Sequence, residues 1–368
     1  MLILIKVGTF FLSIIYFFMK LFPTKKQILI VSRQNNKKSL DIEILEKGIK
    51  EEIPDYKVII MTKMIENKVV YALYILKLMY YIARSKVVIL DSYCLPISLL
   101  KHKKSLKVIQ MWHAIGLMKK AGYASIDKEE GRSLKVSQAF KMHHNYDYAF
   151  ASSKDCVKAM CEVFHITEDK ITVKLLPRVD LLRNEEYQTK ERKKIFERYP
   201  TLKNKKNIVY IPTFRKEEEL MQKKIEELVD SIDYNSYNLI IKLHPNSKIA
   251  VDNDSVFKCK EYTSMEMLSV ADYVISDYSS IIYEAVILKK PLYLYAFDLD
   301  EYEEKRGLFI DYKKEIPGII TKDASFLFQE IVENHYDYSK QERFCNKYLD
   351  LSKKSITLDI IDLIKENL

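Results

Sequence analysis

Apolar and polar positions along this chain are grouped in blocks, and the blocks alternate between two periods. After Pro23 the run QILIVS (27–32) predicts a strand, 40–52 a helix, and YKVIIMT (56–62) a second strand. A helix follows over 69–84, then strands at KVVILDS (86–92) and LKVIQMW (106–112), with two more over 146–151 and 171–175. Short continuous apolar runs separated by helices predict a parallel sheet covered on both faces, because a strand buried on two sides shows no polar alternation. The stretch 183–206 is polar and charge-rich and marks the expected domain boundary. A second set then begins: NIVYIPT (207–213), a helix over 216–230, YNLIIKLHP (237–245), ADYVISDYSS (271–280), a helix through 288, and PLYLYAF (291–297). The expected architecture is α/β, with two doubly wound, Rossmann-like domains in tandem facing a shared cleft. The expected segments are 1–22, 23–190, 191–350 and a final helical piece, 351–368, packing back across the junction.

Length and composition agree with this. At 368 residues the chain is two to three times the usual domain size, and 48% apolar with 30% charged residues leaves no room for extensive disorder. Only 7 residues are glycine, where ordinary usage would give roughly 26. Neither G-x-G-x-x-G nor G-x-x-x-x-G-K-[ST] occurs, so any phosphate must be held by helix N-termini and side chains. The five cysteines are scattered and lack a C-x-x-C pair, which argues against a disulfide framework or zinc site and for a reducing, cytosolic setting.

Charge is unevenly distributed. Residues 1–40 hold Lys6, Lys20, Lys25, Lys26, Arg33, Lys37 and Lys38, and no acid precedes Asp41. Between Lys6 and Lys20 lies VGTFFLSIIYFFM, shorter than the roughly 20 residues that span a bilayer core and without a cleavage site. It reads as a helix lying in the membrane interface with its lysines on anionic headgroups; a buried first helix is the alternative. A second basic stretch, 92–126, carries six lysines and no acid. Its cations are not interleaved with a stacking platform, so nucleic acid is not the expected partner. An anionic membrane or an anionic lipid-linked substrate accounts for both regions.

Ligands of open parallel sheets bind outside the carboxyl ends of the strands. Those ends here carry Trp112 and His113; Thr213, Phe214 and Arg215; Lys242, His244 and Pro245; and Ser276, Asp277, Tyr278, Ser279 and Ser280. In SDYSSIIYEAVILKKP the N–H groups at 278–280, with the Ser279 and Ser280 hydroxyls, form a candidate diphosphate site, Asp277 acting as a cap; an ordinary capped helix is the bland reading. Glu284, one turn on, suits a ribose diol or simply a solvated face. His244 before Pro245 can donate to a phosphate or transfer a proton, unless it is a loop residue bonded to backbone. Arg215 suits bidentate phosphate contact, or a surface salt bridge to Glu217 or Glu218. Beside the only tryptophan, His113 can be kept neutral as a base requires; a packed core histidine is the alternative. Asp298-Leu299-Asp300 reads as a surface turn rather than a metal site, and His143-His144 as a solvated pair at a helix end.

Taken in order, WHAIGLMKKAG, YIPTFR, KLHP, SDYSSIIYEAVILKKPLYLYAFDLDEY and KRGLFIDY resemble the CDP-glycerol glycerophosphotransferases, the teichoic-acid primases and polymerases. Ala114-Ile115-Gly116 stands where members of that family often carry Gly-Thr-Pro. The resemblance implies a GT-B fold and a peripheral enzyme on the cytoplasmic face of the membrane. It implies transfer of glycerol or ribitol phosphate from CDP-glycerol or CDP-ribitol to a lipid-linked saccharide acceptor. The two essential histidines of the family map onto His113 and His244. The family's donor-phosphate contacts map onto Ser276, Ser279 and Ser280; Thr213, Arg215, Lys242, Asp277 and Glu284 complete the expected donor side, and Trp112, Lys119, Lys120 and Arg306 form the expected acceptor side. No metal or other cofactor is called for if these cations suffice. A GT-B glycosyltransferase using a nucleotide sugar is the nearest rival; a noncatalytic lipid-binding scaffold is a further one.

Overall fold

The computed structural model describes residues 2–65, 67–129 and 131–368, so Met1, the first residue of the expected membrane-associating segment, lies outside the described residues. Two compact units are present, one formed by 1–180 with 348–368 and the other by 181–347.

The first unit is a six-stranded parallel sheet of β1 (Gln27–Ser32), β2 (Lys57–Thr62), β3 (Val87–Leu90), β4 (Lys107–Gln110), β5 (Tyr148–Ala151) and β6 (Ile171–Val173), ordered β2-β1-β3-β4-β5-β6. All six residues of β1 and all four of β3 are buried, which is why these strands read as unbroken apolar runs. Strand order reverses between β1 and β3, and the carboxyl ends of these two strands therefore open a crevice that no crossover helix fills. Flanking helices include α1 (Leu2–Lys20), α2 (Leu40–Glu52) and α3 (Lys68–Arg84).

The second unit repeats the plan with β7 (Lys206–Tyr210), β8 (Tyr237–Ile241), β9 (Val256–Phe257), β10 (Tyr273–Ser276), β11 (Leu292–Tyr295) and β12 (Ile319–Thr321), all parallel. The order β12-β11-β10-β7-β8-β9 places the reversal between β7 and β10. Its core joins Ile208, Tyr210, Ile241 and Tyr295 of the sheet to Ile225, Leu228 and Leu327 of the covering helices.

The expected boundary at 190 falls inside the Glu185–Arg198 helix, and the units divide at 180 instead. That helix buries only Glu191 and Ile195, so its charged surface reads like a linker. The C-terminal residues belong to the first unit. The Asp180 carboxylate accepts from the N–H groups of Ile356 (2.7 Å) and Thr357 (2.9 Å), capping the Ile356–Lys365 helix. Gly48 of α2 lets that helix approach closely: a Cβ there would lie 2.7 Å from Ile361 Cδ1.

Among the described residues no helix is long and apolar enough to cross a membrane. Helix α1 is two-sided. Tyr16 is 1% exposed and bonds to His102 Nδ1 at 2.8 Å, while Phe10, Phe11, Phe17 and Phe18 on other faces are exposed. His102 donates from Nε2 to the Ile97 carbonyl, and burial pushes its pKa down to about 4, so a neutral imidazole fastens α1 to the unit.

Candidate active site

In the first unit the site begins at the end of β4. Gln110 is fully buried; its amide oxygen accepts from Trp112 N–H (3.0 Å), which orients the NH2 toward the Ser92 carbonyl (3.3 Å) and Tyr146 Oη (3.2 Å). Trp112 has φ 68°, a left-handed backbone rare for so bulky a residue. The turn carries His113 back over the end of β3, where its Nδ1 lies 3.1 Å from the Asp91 carbonyl. A carbonyl can only accept, so Nδ1 bears the hydrogen and Nε2 keeps its lone pair.

His113 presents an exposed edge, but protein encloses the rest of the ring, with the Trp112 ring centroid at 4.3 Å. Desolvation pushes its pKa below the usual imidazole range; the Asp91 carbonyl opposes this and the Arg178 charge adds to it. Arg178 donates to the His113 carbonyl (2.8 Å) and is held by Asp41, whose Oδ1 takes the Arg178 N–H at 2.9 Å. Behind the histidine, the Asp91 carboxyl is 5% exposed and burial raises its pKa, although the Ser32 and Ser92 hydroxyls bond to it. The residues gathered here are thus those of the β1/β3 switch point together with the end of β4. Sequence reasoning missed Asp91, Ser92, Asp41 and Arg178. Reading the end of β3 as the other strand ends were read would have found Asp91 and Ser92. Nothing local pairs Asp41 with Arg178.

In the second unit the expected residues meet at the β7/β10 switch point but divide the work differently. Asp277 is fully buried and accepts from Thr213 N–H (2.8 Å) and Tyr278 N–H (2.6 Å). Arg215 donates to Asp277 Oδ2 (2.8 Å), to both Asp298 oxygens (2.7 and 2.9 Å) and to the Thr213 carbonyl (2.7 Å). Arg215 is therefore neither a surface partner of Glu217 or Glu218 nor an open phosphate clamp. It is the cation of a buried network that joins the loops after β7, β10 and β11, and its charge holds the Asp298 carboxyl below the usual range against the opposing effect of burial. Tyr278 adds a bond to Asp298 (3.0 Å), and Tyr312 one to the Asp277 carbonyl (2.6 Å).

Lys242 is likewise committed. Its Nζ donates to the carbonyls of Cys259 (2.7 Å), Tyr262 (2.7 Å) and Lys258 (3.3 Å), using all three donors to shape the loop after β9. Ser276 is fully buried and donates to the Ile211 carbonyl (2.8 Å). Glu284 is 7% exposed, which excludes a solvated face. Ser279 and Ser280 are the members of this segment that reach solvent, at the start of the Ile281–Ile287 helix; Ser279 Oγ accepts from Ile281 N–H at 3.4 Å. His244 is exposed against Phe214 (ring centroids 5.0 Å), and its Nδ1 accepts from Asn246 N–H at 3.1 Å, so Nε2 carries the hydrogen and faces outward as a donor. The two histidines thus present opposite functions, a lone pair at His113 and an N–H at His244.

Lys119 and Lys120 are half-buried just beyond the His113 turn, whereas Arg306 ends the Leu299–Arg306 helix of the second unit. Asp300 is bound to Lys313 (3.1 Å) and Lys322 (3.3 Å), so the two carboxylates of the D-x-D face different cations. The solvated-pair reading fails for His143, which is 5% exposed and bonded to Tyr146; His144 is exposed.

Residues 14–366 match the family described as CDP-Glycerol:Poly(glycerophosphate) glycerophosphotransferase. The chain belongs to this family. It is 30% identical to the teichoic acid glycerol-phosphate primase of Bacillus subtilis over 96% of each chain. It is also 30% identical to the teichoic acid ribitol-phosphate primase of Bacillus spizizenii, over 78% of this chain and 77% of that one. Among solved structures, a variant of the wall teichoic acid polymerase TagF soaked with CDPG matches with a TM-score of 0.75 at 20% identity, over 94% of this chain and 90% of that one. The UDP-GlcNAc 2-epimerase of Neisseria meningitidis matches with 0.58 at 15% identity, over 92% of this chain and all of that one. The fold is thus of GT-B type, an α/β chain with two six-stranded parallel sheets.

Proposed function

We propose that this glycerophosphotransferase-family enzyme moves glycerol phosphate or ribitol phosphate from its CDP derivative to a hydroxyl of a lipid-linked saccharide. The fixed tautomer of His113 carries the reading, since a lone pair at Nε2 with a depressed pKa is what a general base near neutral pH requires. The acceptor O–H gives its proton to Nε2. Its oxygen bonds to the β-phosphorus, the bond from that phosphorus to the bridging oxygen breaks, and CMP leaves. On the donor side His244 Nε2–H and the Ser279 and Ser280 hydroxyls are the groups with donors to spare for phosphate oxygens, as the fixed tautomer of His244 and the solvent-facing serines support. Arg215, Asp277 and Asp298 hold the loops that bear them.

The decisive test supplies CDP-glycerol, CDP-ribitol or a UDP-sugar together with a lipid-linked saccharide. CMP release with one of the CDP-polyols is expected; UDP release with neither CDP-polyol consumed would overturn the reading in favour of a glycosyltransferase. The enzyme further attaches to the anionic cytoplasmic face of the membrane through the exposed phenylalanines of α1, with Lys6 and Lys20 at the headgroups. Phe10→Glu with Phe18→Glu then abolishes sedimentation with anionic vesicles, and undiminished sedimentation would rule the attachment out.

A further inference from the structure

The first unit holds two neighbouring cavities that the chemistry above does not use. One, of about 580 Å3, lies between α1 and the Leu134–Ala139 helix; Ile5, Thr9, Phe10, Leu99 and Ala139 give it an apolar body, with Lys6 and Lys135 also in its wall. The other, of about 460 Å3, is lined by Tyr123, His143, His144, His165 and Lys170. Gln138 and Lys141 line both. Among the described residues neither cavity has a carboxylate in its wall, and Lys6, Lys135, Lys141 and Lys170 form no ion pair. An apolar trough that shares a wall with an uncompensated cationic chamber matches an amphiphile with a negative head.

His143 gives the chamber a built polar contact. Gln110 donates to Tyr146 Oη, so the tyrosine proton goes to His143 Nδ1, 3.1 Å away, and Nε2 bears the ring hydrogen. That N–H has no partner among the described residues, although the side chain is more than nine-tenths buried. Gly122 keeps the ring edge uncovered: its φ of 55° disfavours other residues, and a Cβ there would collide with the Val163 carbonyl at 2.2 Å and stand 3.2 Å from His143 Nε2. Burial drives the His143 pKa down to about 3, so the ring is neutral at neutral pH and offers this one N–H. The chamber wall also backs onto the proposed base, because the Phe164 ring lies 5.0 Å from His143 and 5.5 Å from Trp112, whose ring lies 4.3 Å from that of His113.

We propose that this double cavity binds a single phosphate-bearing lipid, its hydrocarbon chain between α1 and the Leu134–Ala139 helix and its phosphate at Lys141 and the Nε2–H of His143. The transferase reading bears only on which lipid occupies the site in the cell, a lipid-linked acceptor having this chemistry.

The test uses the full chain, with fluorescence of Trp112 as the signal and monomeric farnesyl diphosphate, farnesol and inorganic pyrophosphate as probes. Farnesyl diphosphate saturates the signal, and the other two bind at least roughly tenfold more weakly, each lacking one half of the match. Lys141→Gln weakens farnesyl diphosphate binding by roughly tenfold, the loss of one charge-assisted contact, and Ala139→Phe, which adds no second indole to the signal, fills the trough. Both positions are solvent-accessible, and thermal unfolding verifies that the variants fold. Pyrophosphate binding as tightly as farnesyl diphosphate would show a free-anion site and overturn the proposal; so would unchanged farnesyl diphosphate binding in both variants. Binding requires no CDP-polyol, so a protein that binds the probe but releases no CMP refutes the transferase reading alone. Normal transfer with no lipid binding at these residues refutes the cavity alone.

Discussion

Replacing Arg215 by Met discriminates most sharply between a residue that grips substrate and one that holds the fold. The guanidinium, with a side chain 10% exposed, joins Asp277, fully buried, to Asp298, 11% exposed, at 2.7–2.9 Å. Methionine fills similar volume but leaves both carboxylates uncompensated. Removing one partner of a buried pair costs about 3–5 kcal/mol. At about 2–4 °C per kcal/mol for a unit of 150–250 residues, Tm falls by roughly 6–20 °C. Calorimetric unfolding with a parallel urea titration measures this directly. Adding Asp277→Asn and Asp298→Asn to Arg215→Met removes the stranded charges and recovers part of the loss. The Asp298 carboxyl is held below its ordinary value, so its contribution is complete above about pH 4 and disappears as pH falls through the depressed value. A loss under about 1 kcal/mol, together with a raised KM for the CDP-polyol, would refute the structural role and return Arg215 to the phosphates.

Other consequences are equally specific. His113→Ala lowers turnover by about 100-fold or more and removes the acid limb of the pH–rate profile; in the parent enzyme that limb lies below the ordinary imidazole value, because the unprotonated base survives to lower pH. Near wild-type turnover in the variant would exclude His113 as the base. Lys242→Met strands three carbonyls and destabilises the second unit by about 3 kcal/mol; it also opens Cys259, now 3% exposed with its pKa raised to about 11, to thiol reagents. An unreactive Cys259 in that variant would mean that the loop does not depend on the ammonium. Gly48→Ala costs about 1–3 kcal/mol by overpacking against Ile361, and Ile361→Val in the same chain relieves part of it; additive losses would contradict this contact.

Much of this protein is determined locally. The strands 27–32, 87–90 and 206–210 are legible because burial on both faces forces continuous β-branched and aliphatic runs, the edge strand 57–62 keeps an apolar run though only Met61 is buried, and α2 is bounded by its own Ser39 cap and apolar face. The strand-end rule located His113, His244 and the 276–280 segment for the same reason, since a parallel strand must deliver its next residues to one rim. What each side chain does there was decided by tertiary structure. Arg215 and Asp298 are 83 positions apart, Lys242 meets carbonyls 16 to 20 positions away, and Asp41 reaches Arg178 across 137. No local pattern encodes such pairs, yet a buried cation must find them, because an unpaired charge away from water costs more than any neighbouring contact returns. Sequence thus supplied the rim and its residue types, and long-range desolvation assigned which of them are locked into the frame and which stay open to substrate.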